Sequence, residues 1–140
     1  MERIDAKNYL REIKSKREHR ARLLARRESI HMDIQISGID YSKDRVQSSP
    51  SNSMENAAIK MLTRIEEIDE QIRDLSIEID DRLASIEDLK DSNYRKILFS
   101  RYSEYKSFEQ ISVDAGYAYN YVCTMHGEAL EELSKCLNKS

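Results

Sequence analysis

The sequence predicts an all-α protein in which a long antiparallel helical hairpin, a coiled coil, precedes a C-terminal helix-turn-helix. The 140 residues contain one proline and three glycines, and Glu, Lys, Arg, Ile and Leu are abundant, which favours helix over strand. An apolar seam with helical spacing crosses the middle of the chain. A capped helix followed by a glycine turn lies near the end.

The most regular pattern is the apolar seam between residues 58 and 89. Steps of three and four residues connect its positions without a break, and all but one position are apolar. A seam that repeats every 3.5 residues requires a partner helix to cover it. Its members are Ala58, Met61, Ile65, Ile68, Ile72, Leu75, Ile79, Arg82, Ile86 and Leu89.

The expected partner is a first helix from about Asp5 to Ile34. Residues 1–31 hold ten basic and five acidic side chains, whereas residues 61–92 hold four basic and eleven acidic ones. The two helices therefore have complementary charge. The first helix offers a poorer seam, which we assign to Leu10, Ile13, Arg17, Arg20, Leu24, Arg27, His31 and Ile34.

These helices predict a domain at 1–91 with a flexible loop at about 37–53, since a connection this long is commonly mobile or functional. Asn52 or Ser53 can cap the second helix. Two questions stay open. The hairpin can close on itself or pair with a second chain, and the basic run Lys14–Arg27 can be a solvated face or a nucleic-acid contact.

A second domain is predicted at 92–140. Asp91 or Ser92 can cap a helix that runs through Tyr102. That helix buries Ile97 and Leu98 together with Phe99 or Tyr102.

Two further helices joined by a short turn follow. Ser107 and Gln110 have the spacing of a capping box, and Gly116 can adopt the left-handed conformation that ends a helix. A last helix from about Tyr119 to Leu137 buries Val122, Met125, Ala129 and Leu133. Two helices joined in this way form a helix-turn-helix, whose second helix enters the major groove of DNA.

The segment Ser107–Leu133 resembles region 4 of sigma-70-type factors without a gap. Residues 44–133, about two-thirds of the chain, also resemble phage and prophage late transcription regulators of the ArpU/RinA kind. The likeness is carried by Arg45-Val46-Gln47-Ser48-Ser49, Met54-Glu55-Asn56-Ala57, Arg101-Tyr102, Tyr105-Lys106-Ser107, Tyr117, Tyr119, Val122, His126, Ala129 and Leu130.

The resemblance implies binding to double-stranded promoter DNA and contact with RNA polymerase. It places Tyr119, Asn120, Cys123 and Thr124 on the base-facing turns of the last helix, and Ser107 and Tyr121 at phosphate positions. Asn120 can pair with adenine, and Thr124 can touch a thymine methyl group.

The chain departs from sigma factors in its charges. Tyr119, Tyr121 and Cys123 replace arginines usual on that helix, and Ala118 stands where Ser or Thr normally caps it. Stand-alone affinity is therefore expected to be weak, because basic contacts to phosphates supply most of it. The available substitutes are Arg95, Lys96, Arg101 and Lys106, together with the basic first helix.

Catalysis is not expected, since the chain has no phosphate loop, nucleophile elbow or metal-ligand spacing. No cofactor is implied. Cys123 and Cys136 are interpreted as free thiols, and His126 as a packed or capping residue. No segment has the roughly 18 apolar residues of a membrane span, so we expect a cytoplasmic protein.

Three functions are compatible with these observations. The leading hypothesis is a phage-type transcription regulator that self-associates through the hairpin. The alternatives are a small terminase-like subunit for DNA packaging and a coiled-coil interaction protein whose helix-turn-helix is degenerate.

Overall fold

The computed structural model describes residues 3–36 and 52–139, and these residues are almost entirely helical, with no strand among them. Two long helices, α1 (Ala6–Ile36) and α2 (Asn52–Glu87), come first. Three shorter α-helices follow: α3 (Ser92–Leu98), α4 (Phe108–Ala115) and α5 (Tyr119–Leu137). A π-helical segment, Phe99–Ser103, continues α3. The all-α prediction is thus confirmed.

The contacts group the chain into two compact units. Unit 1 contains residues 1–17 and 77–140, and unit 2 contains residues 18–76. The predicted division into domains at 1–91 and 92–140 stays a prediction. Most of the predicted loop at 37–53, the motif residues Arg45–Ser49 and the capping side chains of Asn52 and Ser53 lie outside the described residues.

Unit 1 contains one apolar core to which every helix in it contributes. Pairs such as Arg82 with Glu12 and Lys16 with Glu78 show that α1 and α2 run antiparallel here. The C-terminal helices pack on the same core. Its buried members include Leu10 and Ile13 from α1, Ile79 and Ile86 from α2, Ile97 and Leu98 from α3, Ile111 from α4, and Val122, Ala129 and Leu133 from α5.

Unit 2 consists of the remaining parts of α1 and α2, also antiparallel. Arg20 donates to the Ser76 hydroxyl at 3.1 Å, and Arg27 pairs with Asp69 at 2.5 Å. The buried positions of α2 in this unit are Ala58, Ile65, Ile68 and Leu75, as the seam predicts.

The assignment of Leu24 to the seam of α1 is wrong. Its side chain is 49% exposed, whereas Leu23 and Ile30 are half-buried. The seam reaches Leu23 because it lies three residues after Arg20 and four before Arg27, which keeps it on the face that meets α2.

Among the described residues, no helix is both long enough and apolar enough to cross a bilayer.

Candidate nucleic-acid interface

The candidate interface starts from the turn that joins α4 to α5. Ser107 caps α4, with its hydroxyl oxygen accepting from the Gln110 backbone N–H at 3.1 Å. Gly116 ends α4 with φ +74° and ψ +24°, a left-handed conformation that glycine adopts without steric cost. The side chain of Ser112 donates to the Tyr117 carbonyl and closes the turn.

Only half of the predicted capping box forms. Gln110 does not return a hydrogen bond to the backbone of Ser107. Its side-chain amide instead donates to Asp114 at 2.8 Å, because a partner four residues later lies on the same face of the helix. The prediction for Gln110 was therefore wrong, and the prediction for Ser107 was right.

α5 starts at Tyr119 without a side-chain cap from Ala118. One face of its first turns is buried in the core through Val122, Met125 and His126. The opposite face carries Asn120 and Thr124, which are both exposed. The first turns of α5 therefore present their polar side chains outward.

Asn120 and Thr124 lie one turn apart on this exposed face. The Thr124 hydroxyl donates to the Asn120 carbonyl at 3.0 Å. The amide of Asn120 has no hydrogen-bond partner within the described ranges. An asparagine amide can read an adenine, and an exposed threonine one turn away can contact a neighbouring thymine.

The other predicted contacts on α5 differ in exposure. Cys123 is half-buried, and its hydrogen bond with Tyr119 is the main cause that raises the pKa of that phenol. Tyr121 is exposed and packs edge-to-face on Tyr117 with ring centres 5.1 Å apart. The rings of Tyr119 and Tyr121 are thus accessible to a ligand, whereas only part of the Cys123 side chain is accessible.

The predicted phosphate ligands Arg101 and Lys106 are held in contacts within unit 1. Arg101 lies over the ring of Phe108 at 4.5 Å and donates to the Lys106 carbonyl at 2.9 Å. Lys106 pairs with Asp114 at 3.0 Å, and that pair raises the pKa of Lys106 and lowers the pKa of Asp114. Lys106 therefore brings little free positive charge to the surface.

The two other cations named from the sequence, Arg95 and Lys96, differ in their contacts. Arg95 donates to the carbonyls of Leu89 and Lys90, just beyond the end of α2, where a cation satisfies open backbone acceptors. Lys96 is exposed and borders a cleft of about 330 Å³. Ile97, Ile111 and Met125 lie in the wall of this cleft. Of these two cations, Lys96 forms no ion pair or hydrogen bond with another described residue.

Behind this surface, a buried polar pair joins α5 to the π-helical segment. The Tyr102 hydroxyl lies 2.8 Å from Nε2 of His126, and the Phe108 ring meets the same imidazole edge-on at 4.9 Å. Burial lowers the pKa of His126 to about 4. Its packed position is the one expected from the sequence, but no local spacing could reveal its partner 24 residues away.

The first helix reaches this region at one place that sequence reasoning missed. Arg17 donates to the Ser103 carbonyl at 2.8 Å and to the Tyr105 hydroxyl at 3.1 Å. Tyr105 has a positive φ of 59°, unusual for a residue with a side chain. The basic composition of α1 was the only available signal, and it could not identify this partner.

Comparison with protein-family models, curated proteins and solved structures finds no match for this chain. Its function is therefore inferred from the surface of α4 and α5 and from the sequence resemblance.

Proposed function

We propose that this chain is a DNA-binding transcription regulator of the phage type. In this proposal α4 and α5 form a sigma region 4-like helix-turn-helix that binds double-stranded promoter DNA, and the protein contacts RNA polymerase. The observation that carries the proposal is the exposed pair Asn120 and Thr124, one turn apart near the start of α5.

The polar pair is well placed for direct readout of bases. An asparagine amide can form two hydrogen bonds with adenine in the major groove, and a threonine methyl group can contact thymine. In DNA-binding helix-turn-helix units, the N-terminal residues of the second helix contact the base edges. Asn120 and Thr124 occupy that part of α5.

The packing of α5 supports a fixed orientation of this face. Val122 and Ala129 are almost completely buried on the opposite side of the helix. The Tyr102–His126 hydrogen bond anchors the same side. A reading face held by a packed core loses little entropy on binding, which favours recognition.

The test begins with selection of binding sites from a pool of random-sequence DNA duplexes. Fluorescence anisotropy on the selected duplex then compares the wild type with the double variant Asn120→Ala and Thr124→Ala. We expect a loss of roughly 10- to 100-fold in affinity, since a good base contact discriminates by about 1–3 kcal/mol.

The matched control is Thr63→Ala with Gln71→Ala, which removes one threonine and one amide from exposed positions of α2. It should bind like the wild type. If the Asn120 and Thr124 double variant also bound like the wild type, the proposed reading face would be wrong.

A second candidate function is favoured by the pairing of Lys106 with Asp114 and Glu104. A helix-turn-helix with so few free cations can serve as an interaction module that no longer binds DNA. This alternative predicts that the wild type binds no selected duplex at low salt but co-purifies with RNA polymerase.

A further inference from the structure

Three exposed cations form a strip on α1 in unit 1. Lys7, Arg11 and Lys14 are spaced by four and three residues and therefore share one face of the helix. The next position along this face is Glu18, where the strip ends. The strip spans about 10 Å of helix axis, since each residue adds 1.5 Å.

The charges of the strip are not neutralised. Within the described ranges, the side chains of Lys7, Arg11 and Lys14 form no ion pair or hydrogen bond. Lys16, on another face, is paired with Glu78 at 2.8 Å. Lys14 makes one contact that leaves its charge free, at 5.7 Å from the centre of the Tyr105 ring.

The strip lies beside the segment that leads into α4. Lys14 and Arg17 both contact Tyr105, and Ser107 caps α4 two residues later. These contacts bring the Lys14 end of the strip next to Tyr105, two residues before the cap of α4.

The charges of α1 also affect the pKa values of two buried residues, Tyr102 and His126. Burial raises the pKa of Tyr102, and the positive charges of Arg101 and Arg11 oppose that shift. Burial lowers the pKa of His126, and Arg101 and Lys7 act in the same direction. Arg101 also lowers the pKa of Tyr119, against the larger effect of Cys123. The charges of Arg11 and Lys7 thus reach Tyr102 and His126.

Some of the acidic groups around the strip are engaged with other cations. Asp114 and Glu104 are engaged with Lys106. The negative charge of Asp5 raises the pKa of Tyr102, and that of Glu109 raises the pKa of Tyr119. The remaining acids of α5, Glu128, Glu131 and Glu132, lie in its later turns, and the end of α5 is hydrogen-bonded through Asn138 to Ile4, just before α1.

From these contacts we infer that Lys7, Arg11 and Lys14 bind phosphates of the DNA duplex whose groove receives α5. The inference rests on the proposed function and adds the cations that α5 lacks. The length of the strip matches the axial rise of about three successive phosphates of one DNA strand.

The salt dependence of binding tests this inference with the full chain. The probe is a mixed-sequence duplex of about 30 base pairs, because phosphate contacts do not depend on sequence. Each phosphate contact contributes about 0.9 to the slope of log affinity against log salt. We expect the triple variant Lys7→Gln, Arg11→Gln, Lys14→Gln to lower the slope by roughly two to three.

The matched control removes three cations from unit 2 with Arg22→Gln, Arg26→Gln and Lys60→Gln, all at exposed positions. Its slope should stay within about one of the wild type. Equal changes in the two triple variants would show a general effect of net charge and overturn the inference. The single variant Arg11→Gln should lower the slope by about one, and it gives the answer if the triple variant misfolds.

The two proposals fail in different ways. Wild-type binding with an unchanged slope in the strip variant would overturn the role of α1 and leave the role of Asn120 and Thr124 intact. A wild type without affinity for any duplex at low salt would overturn both.

Discussion

At the residue scale, two glycines differ in backbone conformation, one left-handed and one helical. Gly116 has φ +74° at the turn after α4, whereas Gly127 lies inside α5. An added Cβ would meet nothing within 4 Å at either position. The backbone conformation alone should therefore decide the effect of a side chain at each.

The same substitution should change stability in opposite directions at these two glycines. Gly116→Ala is expected to cost about 1–2 kcal/mol, because a side chain in the left-handed region is strained. Gly127→Ala should stabilise the protein by up to about 1 kcal/mol, because alanine favours helix over glycine. Urea denaturation of both variants measures the difference. Equal effects would show that the turn is misplaced.

Two arginines at seam positions are held by contacts with neighbouring segments. Arg82 donates to the Tyr9 carbonyl at 3.0 Å, pairs with Glu12 and lies over the Tyr9 ring. Arg17 is similarly bound to Ser103 and Tyr105. A long cationic side chain can cover apolar surface while its charged end finds acceptors. These positions thus join α1 to its neighbours without an apolar side chain.

At the scale of elements, His126 connects three segments. Its imidazole bonds to Tyr102 of the π-helical segment and packs on Phe108, the first residue of α4, while its backbone belongs to α5. The lowered pKa means that the folded protein holds this histidine neutral. Protonation in the folded state would place a charge in the core beside Arg101 and Lys7.

The stability of the protein should fall as the pH drops from the pKa of His126 in the unfolded chain toward its lower pKa in the folded chain. The unfolded chain binds a proton near pH 6.5, whereas the folded chain does so at about 4. Stability from this residue is therefore complete above about pH 6.5 and is lost between there and pH 4. The expected loss is roughly 3 kcal/mol.

The matched variant for this test is His126→Gln, which keeps a hydrogen-bonding group opposite Tyr102 but does not titrate in this range. Urea denaturation at pH 7 and pH 4.5 should show a smaller loss for the variant than for the wild type. The same loss in both proteins would assign the acid sensitivity to carboxylates instead.

At the scale of the whole molecule, the exposed apolar surface of unit 2 predicts self-association. Unit 2 exposes several large apolar side chains, namely Leu24, Met32, Ile36 and Ile59. Its seam is only half-buried at Leu23, Ile30, Met61 and Ile72. Two helices that leave this much apolar surface in water gain free energy when another chain covers it.

Light scattering should therefore give a mass above the 16.4 kDa of one chain at micromolar concentration. Ile36→Glu with Ile59→Glu should shift the mass toward one chain, because burying a charge at an apolar interface is costly. Ile77→Glu, an exposed apolar position of unit 1, is the control. A monomeric wild type would contradict the prediction, and a ring of many subunits would favour DNA packaging over regulation.

The sequence by itself determined the features that depend on local spacing. The seam of α2, a cap at Asp91 or Ser92, the cap at Ser107, the left-handed Gly116 and the buried face of α5 all follow from residues within one or two turns of each other. These interactions form within a single helix or turn, so neighbouring residues suffice to predict them.

Only the tertiary structure decided which side chains are free to act. Arg101 and Lys106 contact neighbouring residues, whereas Lys7, Arg11 and Lys14 pair with no other residue that the structure describes. Leu23, and not Leu24, lies in the seam of α1. The tertiary structure also joined Tyr102 to His126 and Arg17 to Tyr105. These outcomes depend on distances between residues far apart in the chain, which the packing of the helices sets and no local pattern encodes.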